Sequence, residues 1–592
     1  MNEDGSVPGD AAQGTTLRRA LGIGITGHRP ERLEGCDLEA LQAKIGALLD
    51  TLRKLGSNGH AIDLRLISAL AEGADSMAAD AALARGWTLD VVLPFARDVY
   101  AQDFAEGGIR DEHLARIDRA HAVFELEGKR DEGGDGAAYE LAGRVVLAQA
   151  DLLIAIWDGG PVRGRGGAAQ VVAEAVLQGI PVIQIHPAGK QLPCLLWQGF
   201  EEVDIGQQTL ESVTRHDLLR LGRLLEELLG DPRSLQQLTS RTKRRWAVPG
   251  LAFPLLLAVM GIRRPRLSDA GFARPVGPEG LASCAGDRRF SARLANLLVP
   301  RFAEADAIAS RSASLLRSGH VRNFALSSFA VVLSMFGLAL PSSAKPYLLA
   351  LEFATIATIL LATRVGNKAD WHGRWLDHRA LSERLRCIAL SAQLGDLDLR
   401  GGGATTARWV VVITNATARA LGLPNVRAGQ RYLSCVRDEL FSLIGSQLAY
   451  LTLEGRRMNR LDHRLHLLGT TLFATTALAC LSILLFKGLE RLSGWTEERA
   501  AVLSLGATIA SAVLPAIGAA IYGIRMQGDF AGTAERNAVL CEQLRTIHGV
   551  IGDDDLSFEL LSRRVRRTAD LLTGDLDRWL EATAVRRLTL PG

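Results

Sequence analysis

The stretch FALSSFAVVLSMFGLAL (324–340), the turn PSSAKP (341–346) and the return YLLALEFATIATILLAT (347–363) decide the architecture of this chain. As helices rising about 1.5 Å per residue, both arms are long enough to cross a hydrocarbon core about 30 Å thick. Neither arm carries the polar face that a helix in water would need. A second hairpin runs over 467–486, turns through a polar stretch and returns over 501–524. The chain therefore reads as a membrane protein with four spans.

The segments directly after the two hairpins read as a duplication. After the first comes DWHGRWLDHRALSERLR (370–386); after the second come Asp529 and VLCEQLR (539–545). Asp370 matches Asp529, Leu381 matches Leu540, Glu383 matches Glu542, Leu385 matches Leu544 and Arg386 matches Arg545, all at one offset. Shared order, spacing and preceding hairpin mark an internal repeat.

Composition agrees with a few spans joined to large soluble parts. The chain has 592 residues, room for three or four domains, and is 48% apolar. Its mean hydropathy is +0.12. Net charge is only +3, so overall charge says little about partners, and no nucleic-acid motif is present. The seven cysteines show no CxxC or Cys/His spacing, which suggests neither zinc nor a disulfide framework, and they read as reduced intracellular thiols. Residues 1–18 are polar and Gly-rich, open without a signal-peptide pattern and read as disordered. Sixteen Arg and Lys lie between the hairpins, over 364–466, whereas the first turn has only Lys345. The second turn balances Lys487, Arg491 and Arg499 with Glu490, Glu497 and Glu498. The positive-inside tendency then places every large soluble part in the cytoplasm and the spans in the inner membrane.

From Leu21 to His186, short apolar runs alternate with helical stretches. Strands are expected near 21–26, 64–69, 89–94, 151–157 and 181–186, with helices near 37–55, 75–85, 138–149 and 168–179. This alternation predicts a parallel sheet covered on both faces, an α/β Rossmann-like domain over 19–190. Ligands of such sheets bind beyond the carboxyl ends of the strands. The strand ends here carry Gly27, His28 and Arg29; Glu72, Gly73 and Asp75; and a loop from Asp158 through Gly166, Gly167 and Gln170. Glycines admit an anion to backbone N–H groups, a following helix N-terminus adds positive partial charge, and Arg29 can grip phosphate bidentately. A phosphate-bearing ligand is the expectation, with His28 equally readable as a hydrogen-bonding turn residue.

The motifs ITGHRP (25–30), SALAEGADSMAADAALARG (68–86), ADLLIAIWDG (150–159) and GRGGAAQVVAEA (164–175) resemble the SLOG superfamily. That Rossmann-like fold is shared by the DNA-processing protein DprA and the LOG phosphoribohydrolases. LOG enzymes carry a PGGxGTxxE loop whose threonine lies near phosphate and whose glutamate is catalytic. With Gly167 as that loop's last glycine, those positions hold Ala168 and Val171, and Glu174 lies one turn later. The resemblance thus implies binding of a nucleotide-derived signal without hydrolysis; the alternative is a membrane-anchored LOG-type hydrolase.

Residues 191–299 read as a helical connector, with a helix over 210–229 and an apolar stretch, 246–262, flanked by basic clusters. That stretch is short, holds Pro249 and Pro254, and reads as lying in the interface rather than as a fifth span. The hairpin halves, 300–400 and 401–592, resemble SLATT modules, the two-helix membrane effectors that accompany SLOG sensors in bacterial conflict systems. The approach from Arg317 to Phe324, the apolar hairpin and WHGRWLDHRALSERLR (371–386) carry this resemblance. It implies an oligomeric pore-forming or membrane-disrupting effector against phage, facing lipid and answering a nucleotide second messenger made by a signal-producing enzyme. No resident cofactor, metal or nucleic-acid partner is expected. Glu352, the one acid well inside a span, and Pro515, which can kink the last span, are gating candidates. Arg379 and Glu383 read as an i,i+4 ion pair, and Arg563, Arg564, Arg566 and Arg567 as a solvated helix face that can meet anionic lipid.

Overall fold

A computed structural model describes residues 17–130, 135–162, 164–199, 209–230, 250–266, 284, 286–401, 406–493 and 497–583. The side chains at 486–487, 489–504 and 582–583 lie outside that description. So do residues 1–16, expected to be disordered, the basic cluster at 241–245, and the charged side chains of the second turn.

The amino-terminal part is the expected α/β domain. Its elements are β1 (Arg19–Gly27), α1 (Leu38–Ser57), β2 (Ile62–Ser68), α2 (Ala74–Ala84), β3 (Thr88–Leu93), α3 (Arg97–Tyr100), α4 (Gly108–Asp118), β4 (Ala122–Glu125), α5 (Gly136–Gln149), β5 (Leu152–Ile156), α6 (Ala168–Leu177) and β6 (Val182–Ile185). Strands β6-β5-β1-β2-β3-β4 run parallel in that order. Their central residues, among them Leu21, Ile23, Leu66, Val91 and Ile154, are fully buried, as continuous apolar strands of a two-sided sheet must be.

The sheet exceeds its expected borders at both edges. Residues assigned to a helical connector form β7 (Cys194–Leu196) and β8 (Arg215–Asp217), which add antiparallel beyond β6. The helix expected over 210–229 shortens to α7 (Leu221–Leu229) after a single tight turn. Strands of three residues are too short to show an alternating pattern, so propensity could not separate them from loop. At the other edge, β4 pairs with β9 (Val426–Arg427), a strand contributed from between the two hairpins.

The second part is helical. The short α8 (Ala252–Val259) precedes α9 (Arg288–Arg293), α10 (Val299–Ala339), α11 (Lys345–Lys368) and α12 (Trp371–Ser391). Then α13 (Arg408–Leu421) leads to β9, α14 (Gln430–Ser493), α15 (Glu497–Gly528), α16 (Phe530–Asp553) and α17 (Phe558–Thr583). Among the described residues, four stretches, within α10, α11, α14 and α15–α16, are long and apolar enough to cross a membrane. Tyr347 and Phe353 stand 80% and 74% exposed on α11, a cost in water that hydrocarbon removes. Helix α8 has only eight residues, about 12 Å, and cannot span. Its Phe253 and Leu257 pack on Val321, Met458 and Leu461, while Leu251, Leu255 and Val259 form an exposed stripe at i, i+4 and i+8.

The repeat is structural as well as sequential. Asp370 and Asp529 both adopt the left-handed conformation, with φ of 50° and 45°, at the break between a span and the next helix. Aspartate tolerates this region better than most residues. Three residues on, a side chain at Gly373 or Gly532 would collide with that aspartate's carboxylate. Trp371 and Phe530, next after each aspartate, are both buried. Leu381 and Leu540, and Leu385 and Leu544, are buried alike, but Glu383 is buried whereas Glu542 is exposed.

One cysteine expectation fails. Cys284 and Cys435 form a disulfide across 151 residues, with Cα atoms 5.7 Å apart. The connector brings Cys284 against the start of α14, a proximity that sequence spacing does not encode. The arginine cluster on α17 also differs from a simple lipid-facing patch: Arg563 pairs with Glu559, Arg564 with Asp554 and Arg566 with Asp396.

Candidate functional site

The carboxyl ends of β1, β2, β3 and β5 bring most of the expected ligand residues together. Gly27 ends β1 where any side chain would strike Ala74, the first residue of α2. Gly73, with φ of 99°, lies against the His28 carbonyl, which accepts a hydrogen bond from the Ala74 N–H at 3.2 Å. These two glycines therefore first serve the close approach of α2 to the strand end. Helix α2 has no side-chain cap, so its amino terminus keeps its positive partial charge near the site.

His28 is a fastener. It is 4% exposed, its Nε2 lies 3.1 Å from Asp158 Oδ1, and the Asp158 N–H is 3.2 Å from the same nitrogen. Burial lowers its pKa against the opposing pull of Asp158, so the ring is neutral near pH 7. Burial disfavours the Asp158 anion, but the Gly160 N–H and His28 hold its carboxyl below the usual value. The pair ties the end of β1 to the end of β5.

Arg29 is exposed, and its guanidinium sits 5.0 Å from the centroid of the Tyr139 ring. Tyr139 is the point on which the loops converge. Gly166, with φ of 79°, packs so closely on Tyr139 that a side chain would overlap it. The Tyr139 hydroxyl donates to Asp103, which also pairs with Arg130. Burial, then Asp103, pushes the Tyr139 hydroxyl up to about 12, so it remains a donor.

Asp75, 5% exposed in the first turn of α2, accepts a 3.2 Å hydrogen bond from Ser68 Oγ. Burial raises its carboxyl to about 7, moderated by Ser68 and by the charge of Arg29. Ser68 Oγ also accepts from the N–H of Leu70 at 2.9 Å. Leu70 is held at φ 51°, where a branched hydrophobic side chain costs about 1–3 kcal/mol and where functional loops concentrate strain. Glu72 and Gly73 face the other way, into a cavity of about 430 Å³ that Pro30, Phe104 and Arg116 also line.

The α6 loop is partly spent on itself. Gln170 Oε1 accepts from the Gly166 N–H at 2.7 Å, and Gly167 caps α6 without a side-chain bond. Val171, where the LOG resemblance would put the glutamate, is buried on the inner face of α6. Glu174 is held by Arg144 at 3.2 Å. Arg144 in turn lies 3.6 Å from Glu559 on α17, and Arg165, next to Gly166, pairs with Glu140.

Reading motifs alone missed Tyr139, Asp103, Arg130, Ser68 and Leu70. Asp103 and Arg130 fall between the strand expected near 89–94 and the helix expected near 138–149, where no element was expected, and Tyr139 opens a helix with no motif around it. Ser68 was within reach, since it closes β2 directly before the glycine turn at 71–75. Glu352 is half-buried on α11 and Pro515 lies inside α15; neither touches the strand-end site. Compared with known proteins, the chain matches no family model and no curated protein.

Proposed function

We propose that this chain is a membrane effector of bacterial anti-phage defence, in which the α/β domain binds a nucleotide-derived signal and the helical part opens a pore or breaches the bilayer. The observation that carries the reading is the convergence of three strand-end loops on Arg29, Tyr139 and Asp75. It offers a phosphate an exposed guanidinium beside an uncapped helix terminus, and offers a base the face of an aromatic ring. The resemblances to SLOG and SLATT modules support the same pairing of sensor with effector. The contact from Arg144 to Glu559 supplies a route by which ligand at the α6 loop can bias α17 and the helices packed on it. Charge distribution favours a cytoplasmic sensor in the inner membrane, and the Cys284–Cys435 disulfide is the observation that pulls the other way.

Calorimetry on the full chain with a panel of linear and cyclic nucleotides tests the binding step. One of them binds, and Arg29→Ala weakens it about tenfold or more, the loss of a charge-assisted contact. No binding by any member would contradict the proposal. Release of free base, abolished in Glu174→Gln, would instead revive the hydrolase.

A further inference from the structure

A second polar site lies where the two repeats meet beside the spans. A cavity of about 510 Å³ opens among α8, α10, α12, α14, α16 and α17. Its volume is within the range of small-molecule sites. Six arginines line it, at 263, 311, 317, 379, 457 and 536, against three carboxylates, Glu383, Glu454 and Asp575. Two of those arginines have acidic partners behind the wall, Arg379 with Asp306 at 3.4 Å and Arg536 with Asp529 at 3.1 Å. Glu383 is shared with Arg386 at 2.6 Å, outside the cavity. Arg379 and Arg536 are thus paired from behind, whereas Arg317 and Arg457 share the one carboxylate of Glu454.

Arg317 and Arg457 are the donors best placed for a ligand. Each lies 3.7 Å from Glu454, one from either carboxylate oxygen. That distance permits charge attraction but exceeds a hydrogen bond, so the N–H groups of both stay available. Arg317 also lies over Phe253 at 5.4 Å and Trp375 at 5.9 Å, faces that fix its plane. Trp375 and Trp579 meet edge to face at 4.7 Å on the same wall, and Tyr450 lines the site as well. Arg317 precedes Phe324 by about two helical turns, roughly 10 Å, which puts the cavity just inside the headgroup layer.

We infer that this cavity binds a phosphate-bearing anion, gripped between Arg317 of the first repeat's approach helix and Arg457 of the second's, with its remaining bulk against the aromatic wall. A clustered positive charge flanked by apolar helices is costly without a counter-ion and focuses anions toward it. The bound anion joins α10 to α14 and so favours one arrangement of the two hairpins. Its phosphate can come from a lipid headgroup or from a free nucleotide. The site is independent of Arg29 and the strand-end loops.

The test is thermal stability of the full chain in nanodiscs. Phosphatidylcholine discs are compared without and with ATP, and with discs doped with phosphatidylglycerol. Stabilisation by ATP assigns a soluble ligand, and stabilisation by phosphatidylglycerol alone assigns a lipid. In either case Arg317→Gln with Arg457→Gln weakens the effect about tenfold or more in ligand concentration, and Arg29→Ala leaves it intact. Glu454→Gln removes the competing carboxylate and tightens binding several-fold, a gain that misfolding cannot mimic. No stabilisation by either additive overturns the proposal. So does an effect that survives the double substitution, or one that Glu454→Gln fails to strengthen; an ATP effect lost only in Arg29→Ala belongs to the strand-end site.

Discussion

Asp75 carries the sharpest residue-level consequence of the strand-end geometry. Its carboxyl rises from 3.8 to about 7 because burial disfavours the anion. The folded chain therefore holds a proton there that the unfolded chain has released across roughly pH 4 to 7. Stability from this group falls as pH rises through that window and is flat on either side. The full effect is bounded at about 4 kcal/mol by the rise from 3.8 to about 7. Thermal unfolding should show wild type losing stability relative to Asp75→Asn between pH 4 and 7; equal slopes would place Asp75 in contact with water. The same proton matters for ligand, since ionised Asp75 competes with an anion for Arg29. Glycine turns and Arg29 were legible in the sequence because backbone geometry and fixed charge restrict residue choice. The convergence on Tyr139 was not, because an aromatic at a helix start has many uses and its partners Asp103 and Arg130 are distant in sequence.

At the scale of elements, α13 decides how the two halves join. Arg419 on α13 and Asp151 at the start of β5 form an ion pair at 2.9 Å, with side chains 3% and 2% exposed. Asp151 also accepts from the Gly22 N–H at 2.9 Å, and Arg419 donates to the Leu228 carbonyl at 2.9 Å. Arg419→Ala leaves Asp151 charged and buried, and should destabilise the chain by about 3–5 kcal/mol. Arg419→Met combined with Asp151→Leu should recover most of that loss. Unfolding measurements on the three variants check this, and a neutral single substitution would mean the junction is hydrated. The four long apolar helices were legible, because bilayer thickness imposes their length, but α14 runs to Ser493 and α15 starts at Glu497, so most of the stretch read as the second turn is helical. Strands β4, β7, β8 and β9 were not legible, being two to four residues long and set by the edges they complete. The repeat was legible through Leu381, Leu385 and their partners, whose burial the fold preserves. Its Asp-x-x-Gly breaks at 370–373 and 529–532 became intelligible only from the left-handed aspartates.

At the scale of the molecule, the sheet and the helical part share one core. Ile67, Val92 and Phe124 from one face of the sheet pack in the same cluster as Phe290, Leu294 and Leu298, and as Leu376, Leu385, Leu433 and Leu561 from the helices around the spans. β9 completing the sheet and Glu559 meeting Arg144 join the two parts at further points. Well-packed interiors switch between discrete arrangements rather than deform. The central claim is therefore that occupancy of the α/β site changes the state of the spans. Ion flux from liposomes containing the full chain, with and without the nucleotide that calorimetry identifies, tests it most directly. Flux should appear with that nucleotide and disappear in Arg29→Ala. Flux that is constant in both, or absent with nucleotide bound, would contradict the account.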